Sequence, residues 1–324
     1  MPECSVIDAV REALREEMRR DPTVFIMGED VGQRGGVFLA TQGFLEEFGR
    51  SRVIDTPLAE AAIMGIALGA AFRGLRPISE IQFSDFIWPS VNQLIGEAAR
   101  VSYGTNGALR VPVVIRVPYG GGIRGGLFHS QNVEAYFFHT PGLKVVAPST
   151  PYDAKGLLIA SIREDDPVIF CEDRTILGAR THVPEEDYSI PLGVASIKRE
   201  GNDVTIVAIG GMVPRALAAA EALAAEGISA EVLDPRTLVP LDKAAILKSV
   251  AKTGRLVVVD MAHKTCSAAS EIAAIVAMEG FWDLQAPIQR LGTVNVHIPF
   301  SPALEPLCYP TDETIAAAVR VTLA

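Results

Sequence analysis

A chain of 324 residues, 49% hydrophobic and 21% charged, is long enough for two globular domains, each with its own core. With 29 basic and 39 acidic residues its net charge is −10, which argues against unassisted binding to nucleic acid or to an anionic membrane. Cys4, Cys171, Cys266 and Cys308 are widely spaced, so neither a zinc knuckle nor a disulfide framework is indicated, and a reducing cytoplasm fits.

The N-terminus "MPECSVIDAVREALREEMRRD" is charged throughout and lacks the apolar core of a signal peptide. Ser5 and Asp8 have capping-box spacing. Val6, Ile7, Val10, Ala13, Leu14 and Met18 then follow a helical period until Asp21-Pro22. "TVFIM" reads as a buried strand that runs into Gly28-Glu29-Asp30 and the glycine-rich "GQRGG". Val53-Ile54 is a short strand. Thr56 and Pro57 then suit the cap and first position of a helix over 58–72. "RPISEIQF" predicts a strand, 90–103 a helix, and "VPVVIRVP" and "GLKVVAP" two more strands. Thr150-Pro151 opens a helix through "YDAKGLLIASIRED", and "PVIF" is again strand-like.

From 178 to 203 the pattern fades into a polar, proline-bearing stretch that reads as the link between domains. Alternation then resumes: "DVTIVAIG", "SAEVLD" and "RLVVVD" as strands, with helices at 214–225, 242–252 and 267–279. The expected fold class is α/β, a mostly parallel sheet covered on both faces and followed by a second α/β domain, divided as 1–185 and 186–324. The longest apolar run, Ala61 to Phe72, is too short to span a bilayer.

Glu60 is the first candidate for chemistry. An acid in the first turn suits the helix dipole, and that alone could explain it. Yet Ala61, Ala62, Gly65, Ala67, Gly69, Ala70 and Ala71 leave the helix nearly smooth, as if buried on most faces. A lone acid there is expected to have a raised pKa or a specific partner. In "YGGGIRGGLFHSQ", Gly120, Gly122 and Gly125 satisfy G-x-G-x-x-G after a strand, but no apolar helix follows and Pro118 precedes the turn, so a nicotinamide site is not supported. His129, straight after those glycines, could donate or accept a proton near neutral pH, or could be a surface histidine. His139 could share its site or fill the core. In "SEIQFSDFIWPS" a strand ends in Gln82, Asp85, Phe86 and Trp88, where ligands of parallel sheets sit, although core packing would use the same residues. No P-loop, G-x-S-x-G, H-E-x-x-H or EF-hand loop occurs.

Together "MGEDVG", "GGVF", "IDTPLAEAAIMGIALGAA", "LRPISEIQFSDFIWP", "FHSQ", "HTPGLKVVAPSTPYDAKGLL" and "KTGRLVVVD" resemble the β subunit of the thiamine-diphosphate-dependent decarboxylating component of 2-oxo acid dehydrogenase complexes, of pyruvate, branched-chain or acetoin type. The resemblance covers essentially the whole chain and keeps the motif order. It implies a transketolase-like pyrimidine-binding domain followed by a transketolase C-terminal-like domain. It implies that Glu60 hydrogen-bonds the aminopyrimidine ring and shifts it toward the tautomer that deprotonates the thiazolium carbon. By the same resemblance Glu29, Leu58, Gln82 and Phe86 line the cofactor pocket. Phe86, Ile87, Trp88 and Pro89 form the substrate side, where relatives often carry Tyr-Ile-Phe-Pro, and His129 acts near the substrate carbonyl and in acyl transfer to a lipoyl arm.

A potassium ion is implied at Val113, Ser161, Ile162, Glu164 and Asp166, where relatives more often have Asp and Asn at the last two; oxygen ligation suits such a hard cation. The Gly-Asp-Gly segment that holds magnesium and the diphosphate elsewhere in thiamine enzymes is absent, so these groups are expected on a separate α subunit in an α2β2 assembly. A lipoyl-bearing acyltransferase core and a small 2-oxo acid complete the implied partners. The alternatives are a self-sufficient transketolase-like enzyme and a non-catalytic scaffold of the same fold.

Overall fold

The computed structural model describes residues 3–324. Its contacts divide the chain into two units: one of residues 3–119 and 136–192, the other of 120–135 and 193–324.

The first unit contains β1 (Glu3–Ser5), α1 (Val6–Arg20), β2 (Val24–Gly28), α2 (Phe44–Phe48), β3 (Val53–Asp55), α3 (Glu60–Phe72), β4 (Arg76–Glu80) and α4 (Ala99–Gly104). It continues with β5 (Val114–Tyr119), α5 (Glu134–Phe138, entered from the other unit), β6 (Lys144–Val146), α6 (Pro151–Arg163), β7 (Val168–Asp173) and β8 (Arg180–His182). The parallel strands lie side by side in the order β6-β7-β5-β4-β2-β3. Every residue of β2, β5 and β7 is buried, as strands covered on both faces require. The Ser5–Asp8 capping box forms, with Ser5 Oγ accepting from the Asp8 amide at 3.2 Å. Val10, Leu14 and Met18 then face Leu157, Leu158 and Ile162 of α6 in one core. Thr150 caps α6, as its Thr-Pro start predicts.

Two expectations change. The helix expected over 58–72 begins at Glu60, with Ala59 at its cap and no side-chain cap bond. Thr56 cannot serve because it lies four residues before Glu60 and residues 57–59 are not helical; its amide donates to the Gly28 carbonyl at 2.9 Å. The helix expected over 90–103 splits into a π-helical stretch, Asn92–Ala98, and α4.

The second unit contains β9 (Ser196–Arg199), β10 (Val204–Ala208), α7 (Met212–Ala224), β11 (Ala230–Asp234), β12 (Thr237–Val239), α8 (Lys243–Thr253), β13 (Leu256–His263), α9 (Ala268–Glu279), β14 (Gln289–Thr293) and α10 (Asp312–Leu323). Strand order is β14-β13-β10-β11-β9; β9 alone runs antiparallel. Ile206, Val232 and Val257 pack with Ala216 and Ala220 of α7 and Ile315 and Val319 of α10. The stretch read as a plain link therefore contributes two strands, β8 and β9.

Under the strand ends of the first unit lies a buried ionic triad. Arg116 donates to Glu80 at 2.6 Å and to both oxygens of Glu172 at 2.6 and 2.8 Å, and all three side chains are buried. Burial pushes the Glu80 carboxyl up; Arg116 opposes that and Glu172 adds to it. Replacing Arg116 with Met would leave two carboxylates without their counter-charge. The expected cost is about 3–5 kcal/mol, read as a lower urea midpoint; a loss below about 1 kcal/mol would show the triad to be dispensable.

Candidate functional site

Gly28 of β2 pairs with Glu80 of β4, the last residue of each strand, so this row marks the C-terminal ends of β2 and β4, beside Arg116 of β5. Ligands of open parallel sheets bind beyond such ends. Glu29 follows Gly28 directly, and Gln82 stands two residues past Glu80. Gln82 Nε2 donates to the Glu29 carbonyl at 3.3 Å, tying the two strand exits together.

Glu60 opens α3 and is only 8% exposed. Its backbone carbonyl accepts from Ser90 Oγ at 2.9 Å. Among the described residues its carboxylate makes no hydrogen bond or ion pair. The charge it meets is another carboxylate: burial first, then Glu60, then Asp30, push the Glu29 carboxyl above its ordinary value. Two acids that repel, with no cation among the charges acting on Glu29, suit a ligand that brings donors.

Past Gln82 the chain turns through two short 3₁₀ turns, Ser84–Phe86 and Trp88–Ser90. Phe86 meets Phe83 edge-on with ring centroids 6.0 Å apart, and Phe83 meets Phe38 at 5.7 Å, giving an apolar wall beside Gln82. Ile87 is fully buried, whereas Trp88 and Pro89 are exposed; Trp88 lies edge-on to Tyr136 at 4.8 Å. Leu58, before α3, is 79% exposed.

The smooth helix is not buried on most faces. Ala62, Gly65, Ile66, Gly69 and Phe72 face outward, and a Cβ added at Gly65 or Gly69 would meet nothing within 4 Å. The small residues therefore leave an open apolar face, prolonged by Leu58.

His129 lies on the 120–135 segment and so belongs to the second unit, whereas Glu29, Glu60, Gln82 and Phe86 belong to the first. It is half-buried; His139 is exposed in the first unit and beside a hollow of about 600 Å³ lined by Ala99, Arg100 and Tyr103.

Of the five positions singled out for potassium, Ile162, Glu164 and Asp166 meet two cationic side chains, Arg76 and Lys144. Arg76 donates to the carbonyls of Ile162 and Glu164 at 2.9 and 2.5 Å. Lys144 pairs with the Glu164 carboxylate at 2.7 Å and with Asp166 at 3.5 Å. The Val113 carbonyl accepts from the Val168 amide at 3.0 Å, and Ser161 Oγ donates to the Leu157 carbonyl at 2.7 Å. Among the described residues no group of three or more His, Cys, Asp or Glu could hold a metal, and no helix is long and apolar enough to cross a membrane. Glu80, Arg116 and Glu172 carry no local sequence signal, since each partner is distant in the chain.

Residues 3–179 match the family described as transketolase, pyrimidine binding domain, and residues 193–315 that of transketolase, C-terminal domain. The 2-oxoisovalerate dehydrogenase subunit beta of Bacillus subtilis (strain 168) is 51% identical over 98% of this chain and 97% of its own length. The beta subunit of acetoin:2,6-dichlorophenolindophenol oxidoreductase from the same organism is 48% identical over 98% and 96%. The pyruvate dehydrogenase E1 component subunit beta of Staphylococcus epidermidis (strain ATCC 35984) is 43% identical over 100% and 99%. Among solved structures, a split-gene transketolase in the form of an inactive beta4 tetramer superposes with a TM-score of 0.82 at 25% identity, covering 98% of both chains.

Proposed function

The chain belongs to the β-subunit family of thiamine-diphosphate-dependent 2-oxo acid dehydrogenases, and we propose that it is the β half of an α2β2 enzyme that oxidatively decarboxylates a 2-oxo acid and passes the acyl group to a lipoyl group. The observation that carries this reading is Glu60, a largely buried residue whose carboxylate has no hydrogen-bond or ion-pair partner among the described residues and whose charge raises the Glu29 carboxyl at the end of β2. A donor-bearing ring placed there would relieve the repulsion between Glu29 and Glu60, so the residues present fit the cofactor.

When bound, thiamine diphosphate supplies the carbon nucleophile that takes up the 2-oxo acid and stabilises the charge left by departing CO₂. Glu60 would hold the proton shared with the aminopyrimidine ring, in a setting where burial strengthens that bond. Gln82, by fixing the Glu29 carbonyl, would set the pocket wall, and Phe86 would lie against the ring with Leu58 at its rim. Ile87 would back the substrate side from the core while Trp88 and Pro89 face the substrate. His129 would donate or take a proton at the substrate oxygen and serve acyl transfer. His129→Ala is accordingly expected to lower acyl transfer by about 10²- to 10⁴-fold while cofactor affinity stays within about threefold. Unchanged transfer to a lipoyl domain would remove His129 from the mechanism.

The diphosphate and magnesium are assigned to the α subunit. Two observations support this: this chain lacks a Gly-Asp-Gly segment, and the split-gene transketolase, built of β chains alone, is inactive. The open face of α3 suits that partner. A lipoyl-bearing acyltransferase core is the acceptor, and the cytoplasm the proposed location. The relative at 51% identity favours branched-chain 2-oxo acids and the one at 43% keeps pyruvate among the substrates to test; the 48% relative makes acetoin the second reading.

Potassium would share its carbonyls with Arg76 through their second lone pairs. With such an ion, melting temperature in KCl should exceed that in NaCl of equal ionic strength. Equal values would mean that Arg76 and Lys144 alone neutralise the cluster.

A further inference from the structure

We infer that Glu305 positions the His129 loop by clamping its backbone amides in a buried carboxylate; the inference rests on the role given above to His129 and carries it one residue further. The loop runs from Gly120 to Gln131 and is closed at its base by the Gly120 amide donating to the Gln131 carbonyl at 3.0 Å. Five of its residues are glycines, Gly120, Gly121, Gly122, Gly125 and Gly126, so its free backbone has many conformations to lose. Something must hold it if His129 is to keep one place.

Glu305 has the geometry to do so. It begins a short 3₁₀ turn, Glu305–Cys308, and is buried. The Gly122 amide donates to its Oε1 at 2.7 Å and the Arg124 amide to its Oε2 at 3.0 Å, while Tyr309 Oη donates to Oε1 at 3.4 Å. Both carboxylate oxygens thus hold alternate amides of the loop. Such charge-assisted bonds are stronger than neutral ones.

The glycines fit the clamp. A Cβ at Gly121 would fall 1.6 Å from Tyr309 Oη, and one at Gly126, φ +60°, would lie 3.0 Å from Phe300 Cδ2. The backbone therefore rests directly on the 300–309 segment. At Gly125, one residue beyond the clamped Arg124, a Cβ would come 2.6 Å from the Cβ and carbonyl oxygen of His129. The clamped stretch and His129 are in direct contact, so fixing one fixes the other. Glu305 touches neither substrate nor cofactor in this account; it acts through the loop.

Amide hydrogen exchange on the full chain tests the clamp without reference to activity. In Glu305→Ala, peptides covering 120–128 should exchange about tenfold or more faster than wild type, with Glu305→Gln, which keeps one oxygen acceptor, in between. Peptides of β10 and β13 should be unchanged, which separates loop release from unfolding. Unaltered exchange at 120–128 in Glu305→Ala would overturn the inference. In the complex with the α subunit, Glu305→Ala should lose acyl transfer to a lipoyl domain about as far as His129→Ala, at unchanged cofactor affinity, with partial rescue in Glu305→Gln. The double variant should be no worse than His129→Ala, and additive losses would overturn the coupling. A loosened loop with full acyl transfer in both single variants would remove the catalytic role of His129 while leaving the clamp itself established.

Discussion

Glu60→Gln is expected to leave the fold intact and to lower 2-oxo acid decarboxylation by about 10²- to 10⁴-fold. The substitution keeps the size of the side chain and removes its charge. Because Glu60 helps push the Glu29 carboxyl up, losing that charge relieves a repulsion, and the melting temperature should stay level or rise. A variant equally or more stable and nearly inactive is the signature of a residue retained for chemistry at a cost in stability. Near-normal turnover would remove Glu60 from the mechanism. A clear fall in melting temperature would mean that the carboxylate has a structural partner after all.

The second large effect concerns the chain by itself. Without an α subunit it should not bind thiamine diphosphate at micromolar concentrations, since it has no Gly-Asp-Gly segment and no metal cluster among the described residues. Addition of the partner should tighten binding by about 100-fold or more, the range expected when half of a ligand's contacts come from each side. Gly69→Leu probes the surface required. The isolated variant should be as stable as wild type or more so, because the new side chain enters open space and glycine inside a helix costs about 1 kcal/mol against alanine. Assembly with the α subunit should fail, because a leucine would stand where a smooth helix face is to be covered. Micromolar cofactor binding by the isolated chain would contradict the divided site, and normal assembly of Gly69→Leu would move the interface elsewhere.

Much of the fold was legible because its signals are local. Continuous apolar runs such as Val24–Met27 and Leu256–Val259 name buried parallel strands, and Ser5–Asp8 and Thr150-Pro151 name helix starts by chemistry the backbone uses. Elsewhere a local signal misleads or is missing. Thr56-Pro57 has cap chemistry, yet the helix begins four residues after Thr56, at Glu60. The helix Asp312–Leu323 was passed over although Thr311 and Thr314 form a capping box, because Thr314 lacks the Glu or Gln that usually marks that position.

The site divides in the same way. Glu60 drew attention because it was the one acid in a stretch of small apolar residues, and the absence of Gly-Asp-Gly can be read directly. The triad of Glu80, Arg116 and Glu172 could not be read, since each lies in a strand and its partner is 36 or 56 residues away. Glu305 meets Gly122 across 183 residues. The face of α3 that is open in this chain reads as buried from composition alone, because small residues fit a tight core and a subunit contact equally well, and sequence periodicity does not tell them apart.

The most direct test is turnover by this chain co-purified with an α subunit, with thiamine diphosphate and magnesium present. Reduction of an artificial electron acceptor would be followed with branched-chain 2-oxo acids, pyruvate and acetoin side by side. The expected result is turnover of a 2-oxo acid that requires both chains and the cofactor, with neither chain active alone. Turnover by this chain without a partner, or a well-formed complex that binds no thiamine diphosphate, would contradict it.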